Sequence, residues 1–376
     1  MRVIARMNVG GPAVQVSGLM RGFDQLDFEH RLYTGYCSED ESDYLDTVAT
    51  DVRAFRIEGF GRRINFTGDI KALFALIGAI RSYKPHIIHT HTAKAGLLGR
   101  LASMLSMHPT IRVHTFHGHL LYGYFTPLKR RLIIIAEQFL AVHTHHLLAV
   151  GDKVRQDLLF EGIGRVEKFG LMPPGLEIDN LPSKQISQES YNLSTTKLQC
   201  AFIGRVTQIK RPDRFLDVVS KIIENGVQIE FFMAGDGDLL EVCRERIERE
   251  NLPVKVLGWQ NNIAKVLAAA DIVILTSDNE GTPLSLIQAG MVGLPVVTTR
   301  VGSVPEVVLD GRTGIITSTN VEEISNALEE LAHNPDLRAQ MGAAAKEFTL
   351  ANFGVTRLVR DHEHIYKKLI KERNSL

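Results

Sequence analysis

One loop of the sequence combines three features suited to holding a phosphorylated sugar. The loop spans Thr276–Gly281, between the apolar run Ile272–Leu275 and a helix predicted to run from about Leu284 to Val292. Glu280 supplies a carboxylate, and Gly281 has no side chain to keep a ligand from the backbone. The free N–H groups of the helix start at Thr282–Ser285, aided by the helix dipole, favour an anion such as a diphosphate. Because a carboxylate beside an anion site is unfavourable, we expect Glu280 to face a neutral group such as a sugar.

Two cations in the same half of the chain could neutralise that anion. Arg205 and Lys210 lie in the segment Gly204-Arg-Val-Thr-Gln-Ile-Lys210, directly after a strand predicted at Leu198–Ile203. A guanidinium offers a planar fork and an ammonium a compact charge, and together they can stabilise a leaving diphosphate. Taken alone, the segment could be an ordinary solvated basic loop. The Glu280 loop in the same half favours the functional interpretation.

Histidines are abundant in the first half of the chain, so a metal site is the first chemistry to consider. His89 and His91 share one face of a predicted strand, and His114, His117 and His119 follow at the next strand. No Asp, Glu or Cys nearby completes a ligand set, so the sequence predicts no metal. We expect the strand histidines to face a cleft or to be satisfied in the core.

Strands that alternate with helices must position all of these residues. Pro283 suits the first turn of a helix, because it lacks the N–H that would be unpaired there, and Gly293-Leu-Pro295 ends that helix. The alternation predicts parallel sheets covered on both faces, which bind ligands at the carboxyl ends of their strands. The turn at Gly10-Gly11, after the first strand, is a further place where phosphate could approach, although alone it could be only a tight turn.

The Glu280 segment resembles the donor-binding signature of the retaining glycosyltransferases of family four, which have the GT-B fold. That signature is Glu-x7-Glu, headed by Glu-Gly-Xaa-Pro, and the chain has Glu280-Gly-Thr-Pro283 with Gln288 at the second Glu position. Downstream, Gly293-Leu-Pro-Val-Val and Gly302-Ser-Val-Pro-Glu306 strengthen the resemblance. The Gly204–Lys210 segment is similar to the Gly-Arg-Leu-x3-Lys motif of the same family.

The resemblance implies an α/β chain of the GT-B type, with two Rossmann-like domains whose parallel sheets face each other across a cleft. Residues 1–175 would form an acceptor-binding domain, and residues 176–196 a linker. Residues 197–354 would bind the nucleotide sugar, and a helix at 355–376 would cross back to the first domain.

The resemblance also implies transfer of a sugar from a nucleotide diphosphate sugar, with a UDP-sugar favoured, and retention of the anomeric configuration. The implied catalytic residues are Arg205 and Lys210 at the diphosphate, Glu280 at the sugar hydroxyls and His117, in the Phe-His-Gly motif, near the donor sugar. The implied donor-binding residues are Gly10, Gly11, Gly204, Trp259, Gly281, Thr282, Pro283, Leu284, Ser285 and Gln288. No protein nucleophile, cofactor or metal is implied.

Two of these residues leave alternatives open. Gln288 keeps one acceptor oxygen but lacks the charge of the usual Glu, which bears on the identity of the nucleotide more than on activity. Trp259 could stack on the base or be a packed loop residue.

Composition excludes several other classes of protein. The chain has 376 residues, 44% hydrophobic and 23% charged, with a formal net charge of zero, which argues against a dedicated nucleic-acid binder. The sparse cysteines indicate a reducing compartment. The turn at Gly10-Gly11 comes too early for a secretory signal, and no run of about 18 apolar residues exists. We therefore expect a cytoplasmic protein.

The predicted helix at 127–142 is basic at its start and apolar after it. It could be a buried helix with a solvated first turn. It could also contact anionic lipid head groups or a lipid pyrophosphate acceptor, which would hold the protein peripherally on the inner face of the cell membrane. The expected partners are a nucleotide-sugar donor and a glycan or lipid-linked acceptor of cell-surface polysaccharide biosynthesis.

Two other functions fit the same fold. A nucleotide-sugar 2-epimerase would consume its substrate without an acceptor, and a binding module would lack catalysis altogether. The Gly204–Lys210 segment together with Glu280-Gly-Thr-Pro283 favours transfer over epimerisation. Glu280, Arg205 and Lys210 also argue against an inactive module, while Gln288 leaves that alternative open.

Overall fold

A computed structural model describes residues 1–39, 41–61, 65–118, 127–178 and 180–375. The chain forms two compact units. The first comprises Met1–Leu176 and Gly354–Leu376, and the second comprises Glu177–Phe353.

The first unit alternates strands and helices from its start. Its strands are β1 (Arg2–Ile4), β2 (Leu32–Thr34), β3 (Ala54–Arg56), β4 (Ile87–His91), β5 (Ile111–Phe116), β6 (His146–Ala149) and β7 (Phe169–Leu171). Its helices before the second unit are α1 (Gly11–Phe23), α2 (Tyr44–Thr47), α3 (Phe66–Tyr83), α4 (Ala93–Leu105), α5 (Pro127–Val142) and α6 (Asp152–Phe160).

The second unit repeats the alternation. Its helices are α7 (Lys184–Ser190), α8 (Pro212–Glu224), α9 (Leu240–Arg249), α10 (Ile263–Ala268), α11 (Leu284–Val292), α12 (Val304–Val307), α13 (Val321–His333) and α14 (Pro335–Phe353). Its strands are β8 (Leu198–Ile203), β9 (Ile229–Ala234), β10 (Val254–Gly258), β11 (Ile272–Leu275), β12 (Val296–Thr299) and β13 (Gly314–Thr317). The last helix, α15 (Val355–Asn374), belongs to the first unit and packs against α1.

Both sheets are parallel, as the alternation predicts. Within the described residues the first sheet has seven strands in the order β3-β2-β1-β4-β5-β6-β7, and the second has six in the order β10-β9-β8-β11-β12-β13. The strand order reverses between β1 and β4 in one sheet and between β8 and β11 in the other. Open α/β sheets bind ligands outside the carboxyl ends of the strands at such a reversal.

The central strands are buried on both faces, because helices cover each side of a parallel sheet. Every residue of β4 and of β11 is buried, and so are the apolar residues of α8 that pack beneath β8 and β9. Pro212 begins α8 and Asn320 caps α13 with its side-chain oxygen, so local sequence sets these helix starts.

The stretch at 176–196, expected to be a linker, contains α7 and is assigned to the second unit from Glu177 onward. Ser183 caps α7, and Gln188 on this helix donates a hydrogen bond to the Ala269 carbonyl. Asp179 of the same stretch lies outside the described residues. From Glu177 onward, the described part of this segment therefore packs within the second unit.

Candidate active site

The loops that follow β8 and β11 are joined by hydrogen bonds at the reversal of the second sheet. The Thr276 hydroxyl donates to the carbonyls of Lys210 and Arg211, at 3.2 and 3.0 Å. The Asp278 N–H donates to the Ile209 carbonyl at 2.9 Å. Because the two strands are neighbours and parallel, their loops leave the sheet side by side, which brings Lys210 to the Glu280 segment.

Lys210 and Glu280 form an ion pair at the centre of this site. Lys210 Nζ donates to Glu280 Oε1 at 2.5 Å, and the Ser277 hydroxyl donates to the same oxygen at 2.5 Å. The Glu280 side chain is 8% exposed and that of Lys210 is 15% exposed. No described residue is hydrogen-bonded to Glu280 Oε2. One carboxylate oxygen is thus held by two donors, and the other remains available to a ligand.

This ion pair supplies a counter-charge for Glu280 that the sequence analysis did not consider. The sequence led us to expect that Glu280 must avoid the anion site beside it by facing a sugar. In the structure Lys210 neutralises the carboxylate directly, so a negatively charged ligand can approach the same place. Ser277, which contributes the second donor, was not singled out in the sequence analysis.

Helix α11 begins at Leu284, immediately after Pro283, and ends at Val292 before Gly293. Pro283 is the N-cap residue and not part of the first turn, so that expectation was wrong by one position. Its carbonyl accepts the N–H groups of Leu286 and Ile287, and within the described chain no acceptor is recorded for those of Leu284 and Ser285. Two backbone donors therefore remain at the positive end of the helix dipole.

Gln288 lies one turn beyond Leu284 on the half-exposed side of α11. Leu284, Ser285 and Gln288 are partly exposed, whereas Leu286, Ile287 and the residues from Ala289 to Met291 are buried. The spacing of three and four residues places the exposed residues on one helix face. The donor-binding side chains predicted on α11 thus share the face that is accessible to a ligand, with Gly281 and Thr282 in the loop before it.

A carboxylate that the sequence did not single out stabilises the β8 and β11 loops. Asp278 accepts hydrogen bonds from Arg214 at 2.7 Å and from Arg211 at 3.0 Å. Burial opposes its ionisation, but the bonds from Arg214 and Arg211 outweigh burial and lower the pKa of Asp278. Arg214, on α8, also donates to the Thr276 carbonyl at 2.6 Å, so one buried guanidinium makes two bonds to the β11 loop.

Two glycines allow the loops to approach one another closely. Gly302 has a φ of +51°, and a Cβ at this position would meet the Glu280 carbonyl oxygen at 1.8 Å. The next residue, Ser303, donates its N–H to that same oxygen at 3.1 Å. On the other side of the site, a Cβ on Gly235 would meet the Gly204 carbonyl oxygen at 1.8 Å. Larger residues at either position would displace the loops that hold Glu280 and Arg205.

Arg205 and Trp259 are exposed residues at the carboxyl ends of β8 and β10. Arg205 follows Gly204 at the end of β8, and no described residue forms an ion pair with its guanidinium. Trp259 follows β10, is 45% exposed and donates its indole N–H to Asn261 at 2.7 Å. Both side chains are accessible to a ligand, Arg205 as a cation and Trp259 as an aromatic surface.

The first unit contains the other predicted residues. Gly10 caps α1 with its carbonyl, which accepts the N–H groups of Ala13 and Val14, and Gly11 is the first helical residue. This turn follows β1 at the reversal of the first sheet. The structure describes its geometry, and a ligand role for Gly10 and Gly11 stays a prediction.

His117 follows β5 and contacts a second histidine. Its Nε2 lies 2.9 Å from Nδ1 of His91, the last residue of β4. Burial lowers the pKa of His117 to about 4 and lowers the pKa of His91 well below its usual value, so both rings are neutral at neutral pH. The loop residues 119–126, expected to line an acceptor cleft, lie outside the described residues.

Among the described residues, no group of His, Cys, Asp and Glu side chains is arranged to hold a metal ion. His89 is instead hydrogen-bonded to Tyr366 at 2.5 Å and to Thr115 at 2.7 Å, and His114 to Thr90 at 2.8 Å. Polar partners in the core thus account for these strand histidines.

With the geometry described, comparison with known proteins identifies the class. A family model described as glycosyl transferases group 1 matches residues 183–348, and one described as a glycosyl transferase 4-like domain matches residues 10–175. The chain belongs to the group 1 glycosyltransferases, and it is a glycosyltransferase with the GT-B fold.

Individual relatives are similar over nearly the whole chain. The UDP-Gal:alpha-D-GlcNAc-diphosphoundecaprenol alpha-1,3-galactosyltransferase of Escherichia coli is 26% identical over 88% of this chain and 86% of its own length. A putative glycosyltransferase of Bacillus subtilis, EpsF, is 25% identical over 94% of this chain and 92% of its own length.

Solved structures show the same fold. The Anabaena protein HepE, in complex with UDP and glucose, superposes with a TM-score of 0.80 at 17% identity, covering 97% of this chain and 98% of its own. A sucrose-phosphate synthase from Thermosynechococcus elongatus has a TM-score of 0.82 at 17% identity, covering 99% of both chains.

Proposed function

We propose that the protein transfers a hexose from a UDP-sugar to a glycan acceptor linked to a lipid diphosphate, with retention of the anomeric configuration. The main support is the geometry around Glu280. Lys210 donates to Oε1 of Glu280, and no described residue is bonded to Oε2. Two free N–H groups, at the start of α11, follow the Glu280 loop directly. The free carboxylate oxygen would accept a hydrogen bond from a sugar hydroxyl, and the N–H groups would donate hydrogen bonds to a diphosphate.

In the proposed reaction the bond between the anomeric carbon and the phosphate oxygen breaks, and a bond to the acceptor oxygen forms on the same face. The acceptor proton passes to the leaving diphosphate oxygen. Negative charge grows on the diphosphate as this happens. Arg205, Lys210 and the N–H groups of Leu284 and Ser285 would stabilise that charge, which is usually the largest contribution to catalysis. Glu280 would orient the sugar hydroxyls through Oε2.

The names of similar proteins support the substrate classes. The Escherichia coli relative is named for UDP-Gal and for a diphosphoundecaprenol-linked acceptor, and HepE is described in complexes with UDP and with UDP-glucose. A UDP-sugar and a lipid-linked glycan are therefore the first donor and acceptor to test.

Thermal unfolding with UDP, GDP, ADP and dTDP, each with and without EDTA, tests the donor site. At 100 times its dissociation constant, a ligand adds about 2.7 kcal/mol to the free energy of unfolding. We expect UDP alone to raise Tm, with no effect of EDTA. The change in Tm on adding UDP is compared between the wild type and Glu280→Gln, which tests whether the nucleotide binds at this site. Glu245→Gln, at an exposed residue of α9, is the matched control. No shift with any nucleotide would overturn the proposal of a nucleotide site in the free protein.

Product analysis tests the reaction itself. With a UDP-sugar and a GlcNAc-diphospholipid acceptor, NMR of the product should show the anomeric configuration of the donor. An inverted product would contradict retention. Conversion of the nucleotide sugar to its 2-epimer without acceptor would favour the epimerase in place of transfer.

We further propose that α5 docks on an anionic membrane surface. The described part of the chain has no helix long and apolar enough to cross a membrane. Helix α5 nevertheless leaves an apolar stripe more than half exposed, formed by Leu128, Leu132, Ile135, Phe139 and Val142.

The spacing of three and four residues places that stripe on one face of α5. Lys129 and Arg131 are exposed in its first turn, and no described carboxylate pairs with either. An apolar face with cations at one end fits a helix lying in the interface of an anionic bilayer.

Vesicle sedimentation tests this docking. The protein should bind phosphatidylglycerol vesicles more strongly than phosphatidylcholine vesicles, and Leu132→Asp with Phe139→Asp should abolish binding. Leu350→Asp, at an exposed leucine of the second unit, is the matched control. Equal binding of both vesicle types, or binding unaffected by the paired substitution, would refute docking through α5.

A further inference from the structure

A row of buried imidazoles lies behind His117 in the first unit. We call His117, His91, His89 and His362 the histidine column. Ring centroids are 5.2 Å apart between His117 and His91, 4.2 Å between His91 and His89, and 5.5 Å between His89 and His362. The column runs from the carboxyl end of the first sheet into the core beneath α15.

Each ring of the column is neutral, because burial lowers its pKa. The pKa of His117 is lowered to about 4 and that of His362 to about 3, and the pKa values of His89 and His91 fall well below the usual range. The charged and titratable groups facing the column are Arg2 on β1, His114 on β5, and Arg357 and Tyr366 on α15. A neutral imidazole carries one proton, so each ring has one donor nitrogen and one acceptor nitrogen.

The contact between His91 and His117 therefore has two arrangements. Either His91 Nδ1 donates to His117 Nε2, or His117 Nε2 donates to His91 Nδ1, across the same 2.9 Å. The two arrangements differ in whether the remaining nitrogens, His91 Nε2 and His117 Nδ1, carry a proton. In the first, His117 has its proton on Nδ1; in the second, Nδ1 of His117 is an unprotonated acceptor.

The environment of His91 decides between them. His91 is fully buried, and its Nε2 has no hydrogen-bond partner among the described residues. In the second arrangement that nitrogen would be an orphaned buried N–H donor, whereas in the first it is an unpaired acceptor. Orphaned buried N–H groups are rarer in folded proteins than acceptors without a partner. The first arrangement is favoured.

We propose that His91 is a positioning residue that donates from Nδ1 to His117 and so fixes His117 as the Nδ1–H tautomer. His117 then offers a hydrogen-bond donor, and not a base, from its other side, where no described residue is bonded to Nδ1. Its use on substrate rests on the proposed function. There the donor would bind an oxygen of the sugar or of the acceptor.

The rest of the column keeps His91 in place. His89 is fixed at both nitrogens, by Tyr366 and by Thr115, and its ring stacks on that of His91. His91 is paired within the sheet on both sides, with Ile4 of β1 and with Thr115 of β5. A ring held this way has little freedom to rotate and exchange its two nitrogens.

NMR of the substrate-free protein labelled with 15N-histidine tests the tautomer directly. Two-bond 1H–15N correlations distinguish the Nδ1–H tautomer from the Nε2–H tautomer, and His117→Asn identifies the signals of His117. We expect Nδ1–H in the wild type. His91→Phe keeps a ring in the stack but removes the donor, and His117 should then revert to the Nε2–H form that histidine favours in water. An Nε2–H signal in the wild type would overturn the proposal, whether or not the variant folds.

Kinetics test the use of that donor separately. The side-chain nitrogen of Asn occupies the place of Nδ1, and that of Gln the place of Nε2. His117→Asn should therefore retain at least about tenfold more kcat/KM than His117→Gln. The reverse order would refute a donor role at Nδ1. A wild-type Nδ1–H signal in a protein that transfers no sugar would leave the tautomer intact and refute only the proposed function.

Discussion

The two units place opposite kinds of polar group at the carboxyl ends of their central strands. In the second unit they are charged and paired, as in Lys210 with Glu280 and in Asp278 with Arg211 and Arg214. In the first unit the Arg6–Glu41 ion pair follows β1, but the groups at the ends of β4 and β5 are uncharged imidazoles. All but one of the fourteen histidines, His333, belong to the first unit.

The difference suits two kinds of ligand. A diphosphate brings charge into the site and needs cations and free N–H groups, which must themselves be balanced when it is absent. Glu280 balances Lys210 in that way. Hydroxyl groups of a sugar need donors and acceptors without charge, which a neutral imidazole supplies at a small desolvation cost. The two sheets share one architecture, and their loops carry different chemistry.

Mild acid should produce the largest difference between the two units, because it should destabilise the first unit more than the second. His89, His91, His114, His117 and His362 all have a lowered pKa because they are buried. Below about pH 6.5 the unfolded chain binds protons at these residues that the folded chain does not, so stability falls as pH drops from 6.5 toward 4. At pH 5.5 each of these histidines lowers the free energy of unfolding by up to about 1.4 kcal/mol, so the first unit should lose several kcal/mol of stability.

Hydrogen exchange followed by mass spectrometry at pH 7.5 and 5.5 measures this loss separately in peptides of each unit. Peptides from β4, β5 and α15 should lose protection, and those from β8 and β11 should keep it. His362→Gln should reduce the pH dependence. His364→Gln, two residues away on the same helix and exposed, should leave it unchanged. A greater loss of protection at pH 5.5 in peptides of the second unit than in those of the first would contradict the expected difference between the units.

Removing either member of the central ion pair should have the largest effect on catalysis. Lys210→Ala should lower turnover by about a hundredfold or more, as does loss of one stabilising donor from an oxyanion site. Glu280→Ala should lower turnover by a similar factor, because the donor sugar loses the acceptor that orients it. Lys210→Ala also leaves a buried carboxylate without its cation, which costs about 3–5 kcal/mol of stability. Steady-state kinetics with thermal unfolding measure both effects.

A double variant separates charge balance from catalysis. Lys210→Met combined with Glu280→Gln removes both charges, so it should recover most of the stability that Lys210→Ala loses while remaining inactive. Full activity of both single alanine variants would refute the roles assigned to the pair. An active double variant would do the same.

Regular patterns predicted most of the fold. The helix at Leu284–Val292 was predicted with these bounds, because Pro283 and Gly293 are strong local signals, although Pro283 is its N-cap residue and not part of its first turn. Strands such as Ile272–Leu275 are buried on both faces, which produces continuous apolar runs that sequence alone reveals. The GT-B fold and the glycosyltransferase class followed from the resemblance and are confirmed.

Contacts between loops could not be predicted. The pairing of Asp278 with Arg211 and Arg214 depends on β8 and β11 meeting side by side, although these residues are distant in sequence. His91 was expected only to face a cleft or the core, and its bond to His117 required the register of β4 and β5. A motif names the residues of a site, whereas the partners that balance and orient them follow from topology.

Asp278→Asn should test whether paired charges also stabilise the second unit. Asp278 accepts from two guanidinium groups, and the Arg214 side chain is 8% exposed, so the substitution weakens a partly buried network. Since Asp278 itself is about half exposed, we expect a loss of about 1 kcal/mol in the free energy of unfolding.

Asp217→Asn is the matched control, because Asp217 is exposed to a similar extent and, among the described residues, pairs with Arg246 alone. Urea unfolding followed by the fluorescence of Trp259 measures both variants in the second unit. We expect the control to lose less than about 0.5 kcal/mol. Equal losses would mean that the two loops are not stabilised by the Asp278 network.

Gln288→Glu should have the smallest effect. Gln288 is accessible on the face of α11 that also carries Leu284 and Ser285, and no described residue is bonded to its amide. Its amide oxygen would accept one hydrogen bond from a ribose hydroxyl, and a carboxylate would accept the same bond with added charge. The difference between a neutral and a charge-assisted bond is about 1 kcal/mol, so UDP affinity should change by less than about tenfold.

Titration calorimetry with UDP and steady-state kinetics measure this change. Gln340→Glu, which adds the same charge at an exposed position of α14, controls for the net charge of the unit. A hundredfold loss of affinity in Gln288→Glu alone would mean that the amide N–H acts as a donor to the nucleotide. In that case Gln288 would be a requirement of this site, because a carboxylate can accept hydrogen bonds at neutral pH but has no proton to donate.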